Sequence, residues 1–294
     1  MHENDDEWIQ RTFGKPREEL TIIDIDRLHT ISRILAEQVT NYGDERLEDV
    51  LARIEEINAS GELPMTILKG VEVNLLPDGT LDTTMVDQGK FELVNTSIHP
   101  GLDKEGYGEA LTTDPQKYTD LLLKGIEHPK TNIIAHIGFD CEKGFADNLD
   151  WDKIAQAALE NQVAIEINLY DLTREIYWNI LNFDRFPAND TTYRKELEGK
   201  LPDLIPLISS PTIRTALTPY IEKGLKITIN TDQHASPLVE RPLPKTQSEQ
   251  RDFRYWRCMK MVEKYCNQMF NEMSVTKENI INTYELISKL KLSQ

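Results

Sequence analysis

The amino-acid sequence predicts an α/β fold, in which a mainly parallel sheet is covered by helices and bends into a distorted barrel with a helical insertion. Short apolar segments rich in β-branched residues alternate with amphipathic segments along most of the 294-residue chain. Such alternation is typical of parallel sheets with helices packed outside. Several predicted strands also end in a side chain that can bind a metal ion, as is typical of the C-terminal mouth of a barrel.

The first half of the chain contains three predicted strands and two predicted helices. Residues 1–19 are polar and acidic, and we expect them to form a loosely attached lead-in. Apolar periodicity and turn residues then predict the following elements: a strand over 20–25, a helix over 45–58, a strand over 67–76, a turn at 77–80 and a strand over 91–98. Asp114 followed by Pro115 predicts the start of a helix that continues to residue 126.

The second half continues the alternation around one interruption. The elements predicted before it are a strand over 131–137, a helix over 150–161 and a strand over 163–168. Residues 169–211 break the rhythm and are predicted to be an insertion over one end of the sheet. After it we expect a helix over 212–223 capped by Gly224, a strand over 227–230, and C-terminal helices over 254–269 and 277–290 within residues 245–294. The whole chain is expected to form a single domain.

Ligand-type side chains lie at the ends of four of these strands. Because the carboxyl ends of parallel strands meet at one edge, we expect these side chains to converge there. Carboxylate and imidazole together suit Zn²⁺, Mn²⁺ or Fe²⁺, and such ions could hold a phosphate ester and activate a water for in-line attack. The candidate ligands are Glu72, His99, His136, Asp232 and His234.

Glu72 is the candidate whose orientation the sequence constrains most. It lies between Val71 and Val73, so if the valines face the helices, Glu72 points into the interior of a closed sheet. A carboxylate in such a place requires a cation or a strong hydrogen-bond partner. A carboxylate on a solvent-exposed strand edge is the alternative.

Composition narrows the possible partners. A formal net charge of −17 argues against a broad basic surface for nucleic acid. Three cysteines without a CxxC pair indicate reduced thiols and a cytoplasmic location. No run of apolar residues is long enough for a membrane span, and the sequence does not predict the oligomeric state.

Five segments resemble the PHP family, named after polymerase and histidinol phosphatase. They are GVEVNLLPDGTLD (70–82), NTSIHPG (95–101), IIAHIG (133–138), VAIEIN (163–168) and INTDQHAS (229–236). The resemblance runs from about residue 40 to residue 240. It implies a distorted (β/α)7 barrel with a metal cluster, usually of three ions, at its C-terminal mouth. Family members include metal-dependent phosphoesterases, histidinol phosphatases and a module of bacterial DNA polymerases.

The resemblance also implies roles for the candidate ligands. Glu72, His99 and His136 match three residues that hold one ion and bridge it to a neighbour, while Asp232 and His234 match the paired ligands of the last strand. His29 occupies the place of the family's TDH motif, with Leu28 where that motif has aspartate. The family's opening HxH motif does not occur, so we expect between one and three ions of Zn, Mn or Fe. A mistaken or truncated start, a smaller metal site and a pseudo-enzyme all remain open.

Two functional hypotheses follow. The first is a metal-dependent phosphoesterase that uses metal-activated water on a phosphomonoester or related ester of a phosphorylated small molecule. The second is a catalytically impaired PHP-like module that acts in binding, in regulation or within a polymerase-type assembly. Arginine recognises phosphate with two parallel hydrogen bonds, and the candidates for this role in or near the insertion are Arg174, Arg194 and Arg214.

Overall fold

The computed structural model describes residues 44–61, 67–99, 111, 113–138, 141–169, 172, 190–230 and 260–281. The described residues divide into two compact units. The smaller unit contains residues 44–61, 67–70 and 90–92 and is built on helix α1, Asp44–Ser60. In this unit the Asn58 side chain both donates to and accepts from the backbone of Ile67, at 2.8 Å each, which ties the end of α1 to the segment that follows it.

The larger unit contains almost all of a five-stranded parallel sheet. Its strands lie side by side in chain order: β1 (Gly70–Asn74), β2 (Leu93–Ser97), β3 (Ile133–Ile134), β4 (Ala164–Asn168) and β5 (Ile227–Asn230). One row of the register runs from Thr96 through Ile134 and Ile165 to Ile227. The predicted α/β class with a parallel sheet and flanking helices is therefore confirmed.

The described α-helices of the larger unit include α2 (Pro115–Glu127), α3 (Trp151–Glu160), α4 (Asp190–Leu204), α5 (Pro206–Ser209), α6 (Pro211–Glu222) and α7 (260–272). Two of them, α2 and α6, follow capping signals predicted from the sequence. Asp114 caps α2 by accepting hydrogen bonds from the backbone N–H groups of Gln116 and Lys117. Gly224 follows α6 with φ +104°, the left-handed conformation that ends a helix. Within the described ranges, none of the helices combines the length and apolarity of a membrane crossing.

The two faces of the sheet differ in polarity. On the helix side, α2 contacts β3 and α3 contacts β4, and Ile134, Ile165 and Ile227 join the main hydrophobic core. The alternate residues of the strands therefore point to the opposite face. That face carries an apolar patch at the start of the strands, made of Leu93, Ile133 and Ala164 with Ile281, and polar side chains farther along: Glu72, Asn74, Asn95, Ser97, Glu166, Asn168, Thr228 and Asn230.

A polar face on a parallel sheet indicates a site, because such sheets ordinarily bury apolar side chains on both faces. The polar positions lie toward the carboxyl ends of the strands, where ligand sites form in parallel α/β folds. The fold thus places Glu72 on the sheet face that α2 and α3 do not cover.

Several elements differ from their predicted extents, and β1 covers only Gly70–Asn74 of the strand predicted over 67–76. β3 has two residues rather than seven, because the chain turns at His136, whose φ is +27°. The described part of the predicted insertion is helical over α4 and α5. The helix predicted to begin at residue 277 is wrong over 277–281, where the chain instead bonds to β5: Ile227 donates to Asn279 at 2.8 Å, and Ile281 donates to Ile227 at 2.8 Å.

Candidate metal centre

Glu72 is the carboxylate around which the candidate site is arranged. It lies in the middle of β1, on the face opposite the buried Val73. Its side chain is 35% exposed, and His136 Nε2 lies 2.8 Å from its Oε1. Burial opposes the charged form, but the hydrogen bond from His136 and the charges of His136 and His99 outweigh it and lower the pKa of Glu72. Glu72 is therefore held as a carboxylate, the form that binds cations.

His99 follows β2 by two residues and turns its ring toward β1. Its Nε2 lies 3.7 Å from Glu72 Oε1, and its Nδ1 lies 2.6 Å from Asn74 Oδ1 and 3.2 Å from Ser97 Oγ. The rings of His99 and His136 lie with their centroids 4.6 Å apart at an angle of 57°. The Nε2 atoms of both histidines thus face one carboxylate oxygen.

His136 follows β3 and is buried, with 5% of the residue exposed. Its φ of +27° is unfavourable for a residue with a side chain, and such strain persists only where surrounding contacts enforce it. One of these contacts is direct: the His136 backbone N–H donates to Glu166 Oε2 at 2.7 Å. Two residues later, the backbone N–H of Gly138 donates to the buried Tyr118 hydroxyl at 2.9 Å, and this bond fixes the chain where it leaves the turn.

Glu166 supports the site from β4. The residue is buried, with 2% of its surface exposed. Its carboxylate accepts three hydrogen bonds, from the His136 N–H, from Asn168 Nδ2 at 3.2 Å and from Asn230 Nδ2 at 2.9 Å. A buried carboxylate needs such donors. Glu166 therefore links the ends of β3, β4 and β5.

The donor set fits a divalent cation. One ligand atom from each of Glu72, His99 and His136 lies within 4.8 Å of the other two. A tetrahedral ion with ligand distances of about 2.0–2.2 Å spaces its ligand atoms by roughly 3.3–3.6 Å, and the two Nε2-to-Oε1 distances of 2.8 and 3.7 Å fall on either side of this range. A cation would replace the proton that joins His136 to Glu72. Two imidazoles and a carboxylate are a borderline donor set suited to Zn²⁺, Mn²⁺ or Fe²⁺.

The other predicted site residues are not joined to this cluster by any described contact. His29, Asp232, His234 and Arg174 lie outside the described residues, and Arg194 lies in α4 at a position whose side chain is not described. Arg214 donates to the carbonyls of Ile208 and Ser209 at 2.8 and 2.7 Å, and lies 3.2 Å from Glu272. Its contacts join α5, α6 and α7, and its role in phosphate binding stays a prediction.

Two supporting residues had weaker signals in the sequence. The strand pattern of VAIEIN indicates that Glu166 lies near the mouth, but its bond to His136 depends on the register of β3 and β4.

Asp82 lies eight residues after Asn74 and accepts hydrogen bonds from both the backbone N–H and the side-chain amide of Asn74. Partial burial raises the pKa of Asp82, and these hydrogen bonds offset part of that effect. The turn signal at Pro77–Thr80 indicates a reversal that can bring Asp82 back to β1.

Comparisons with known proteins give a relative that matches part of the chain. No protein-family model matches the chain. The chain is similar to the DNA polymerase/3'-5' exonuclease PolX of Bacillus subtilis (strain 168), with 30% identity over 129 residues, which is 42% of this chain. The match spans 20% of that protein's length. Among solved structures, a chain of the cryo-EM structure of archaeal Ribonuclease P with mature tRNA aligns over 83% of this chain and 86% of its own length, with 15% identity and a TM-score of 0.33.

Proposed function

We propose that this protein is a metal-dependent hydrolase of phosphate esters whose ion is held by Glu72, His99 and His136. The observation that carries the proposal is the convergence of these three side chains, one from within β1 and two from the residues that follow β2 and β3. A divalent cation bound there would polarise the phosphoryl oxygens and lower the pKa of the water that attacks phosphorus. The resemblance to the PHP family, and the similarity to a protein named as a 3'-5' exonuclease, both support phosphate-ester chemistry.

The protein's own side chains provide the conditions for this chemistry. Glu72 supplies a negative charge between the Nε2 atoms of two histidines, and Glu166 holds His136 in a conformation that turns its ring toward Glu72. Glu72 remains 35% exposed, so a substrate can approach the cluster. If the sheet closes into the predicted distorted (β/α)7 barrel, its polar face becomes the lining of the barrel, and His29, Asp232 and His234 would complete a site of up to three ions.

The proposed substrate is a phosphomonoester or related ester of a small molecule in the cytoplasm. Arg174, Arg194 and Arg214 are the proposed phosphate-binding residues, because arginine matches phosphate with paired hydrogen bonds. The net charge of −17 favours a compact substrate held by metal ions over a long polyanion bound along a surface.

A second function is favoured by one specific observation. The sequence has no HxH motif, which the resemblance would require for the full metal cluster. A protein with the three-residue site and no further ligands could bind an ion and a phosphorylated partner without hydrolysing it. Such a protein would act in regulation or within a polymerase-type assembly.

Hydrolysis assays separate these functions. The purified protein, loaded with Mn²⁺ or Zn²⁺, would be assayed with p-nitrophenyl phosphate and bis(p-nitrophenyl) phosphate. We expect hydrolysis that disappears in Glu72→Gln and persists in Glu127→Gln, a matched change at the exposed end of α2. Metal binding without hydrolysis of either ester would favour the binding function, and a protein that neither binds metal nor hydrolyses would overturn both.

A further inference from the structure

The turn between β1 and β2 returns the chain to the metal-ligand side of the sheet. Leu76 and Thr80 close the turn with a backbone hydrogen bond of 2.8 Å, and Gly79 adopts φ +93°, which favours glycine. Leu81 then pairs antiparallel with Leu75. As a result Asp82 lies beside Asn74, and its backbone N–H donates to the Asn74 carbonyl at 3.0 Å.

Asp82 determines which way the Asn74 amide points. The carboxylate can only accept hydrogen bonds, and it receives the Asn74 backbone N–H on Oδ1 at 3.1 Å and Asn74 Nδ2 on Oδ2 at 2.7 Å. With Nδ2 directed at Asp82, the other end of the amide, Oδ1, faces His99. This orientation follows from hydrogen-bond chemistry, because the reverse orientation would place two acceptors in contact.

Asn74 in turn determines where His99 carries its hydrogen. Asn74 Oδ1 is an acceptor 2.6 Å from His99 Nδ1. Ser97 Oγ, 3.2 Å from the same nitrogen, donates its own hydrogen to the Val73 carbonyl and so also meets Nδ1 as an acceptor. A neutral imidazole between these groups has its hydrogen on Nδ1 and its lone pair on Nε2, and Nε2 is the nitrogen that faces Glu72.

We propose that Asp82, acting through Asn74, is a positioning residue that sets the His99 tautomer with Nε2 available as a metal donor. The consequence for metal binding rests on the function proposed above, whereas the tautomer is a property of the protein alone. Mutation of a group that orients a metal-binding histidine typically weakens metal binding by about 10- to 100-fold. The turn residues 75–82 would therefore belong to the working site, beyond their role in reversing the chain.

Asp82→Asn is the most informative change. The new side chain has one acceptor oxygen and one donor nitrogen in place of two acceptor oxygens, so it can no longer receive the two Asn74 hydrogens on separate oxygens. Asn74 can then reverse and present Nδ2 to His99, which favours the tautomer with its hydrogen on Nε2. Asp78→Asn is the matched control, because Asp78 accepts from the N–H and hydroxyl of Thr80 in the same turn and makes no described contact with Asn74.

Two readouts on the full chain test the proposal. Long-range ¹H–¹⁵N spectra of the metal-free protein, recorded at a pH high enough for the His99 ring to be neutral, report which nitrogen of His99 carries hydrogen, with the His99 signals assigned by their loss in His99→Gln. Titration with Co²⁺ alone reports affinity through its visible absorption. We expect the Nδ1–H form in the wild type, a shift toward the Nε2–H form in Asp82→Asn, and Co²⁺ binding about 10- to 100-fold weaker in that variant. Asp78→Asn should retain the wild-type spectrum and affinity.

The outcomes distinguish this inference from the proposed function. A wild-type His99 with its hydrogen on Nε2 would overturn the inference whether or not metal binds. Equal losses of Co²⁺ affinity in Asp82→Asn and Asp78→Asn would also overturn it, because the stability of the turn would then explain both. A wild type that binds no Co²⁺ but shows the expected tautomers would instead count against the metal-dependent function alone.

Discussion

Replacing Glu166 by alanine should destabilise the metal-free protein strongly, because three donors lose their acceptor. The His136 backbone N–H is buried, and leaving such a group unsatisfied costs about 1–3 kcal/mol. Asn168 and Asn230 are less buried, so water can replace part of their hydrogen bonds, at about 1 kcal/mol each. The free energy of unfolding should therefore fall by about 3–5 kcal/mol.

Glu166→Gln is the matched control for this prediction. Glutamine keeps the shape of glutamate and one acceptor oxygen, which can still receive the His136 N–H, and Asn230 can rotate to accept from the new amide. We expect a loss of only about 1 kcal/mol. Urea unfolding in the presence of a chelator measures both variants without a contribution from bound metal. A cost below about 1 kcal/mol for Glu166→Ala, or equal costs for the two variants, would refute the assignment of Glu166 as the acceptor that holds His136.

Two further predictions concern stability. The pKa of Glu72 is lowered from its ordinary value of 4.5 because the interactions with His136 and His99 outweigh burial; its contribution to stability is therefore present above about pH 4.5 and lost as the pH falls through the lower, folded-state pKa. In chelator, Glu72→Gln should be less stable than the wild type near neutral pH, with a gap that closes in acid, and a gap independent of pH would contradict the assigned cause. In α2, a Cβ added at Gly125 would lie 2.8 Å from Leu75 Cδ2 and 3.4 Å from Thr96 Cγ2. Overpacking of about 1–3 kcal/mol should exceed the helix-propensity gain of about 1 kcal/mol, so Gly125→Ala should lower the free energy of unfolding. Gly199→Ala in α4, where an added Cβ meets nothing within 4 Å, should raise it. If both variants were stabilised, the Leu75 side chain would have moved aside at little cost, which would contradict the prediction.

Local signals predicted most of the described elements. Asp114 and Pro115 mark the start of α2 because capping and proline geometry act within one turn of the chain. The strand over Ile227–Asn230 was predicted with the observed bounds, since a short β-branched run after a glycine-capped helix leaves few alternatives. The error at residues 277–281 has a non-local cause, because those residues pair with β5, about fifty positions earlier in the chain.

The candidate site could be predicted in part. Ligand-type residues at strand ends led to Glu72, His99 and His136, which the structure brings together as a group that could hold a metal ion. The hydrogen bonds that hold these ligands in place could not be predicted in the same way. The bond from His136 to Glu166 spans thirty positions, and it depends on the strained turn at His136 and on the register of β3 with β4.

The most direct test of the proposed metal centre is equilibrium dialysis against Zn²⁺ or Mn²⁺, followed by elemental analysis of the protein. The wild type, His136→Ala and His128→Ala would be compared, the last being a matched change at the C-terminal end of α2, where His128 faces Asp87. We expect about one equivalent or more of metal in the wild type and in His128→Ala, and at least one equivalent less in His136→Ala. Equal metal content in all three proteins, or none in the wild type, would contradict a metal centre built on Glu72, His99 and His136.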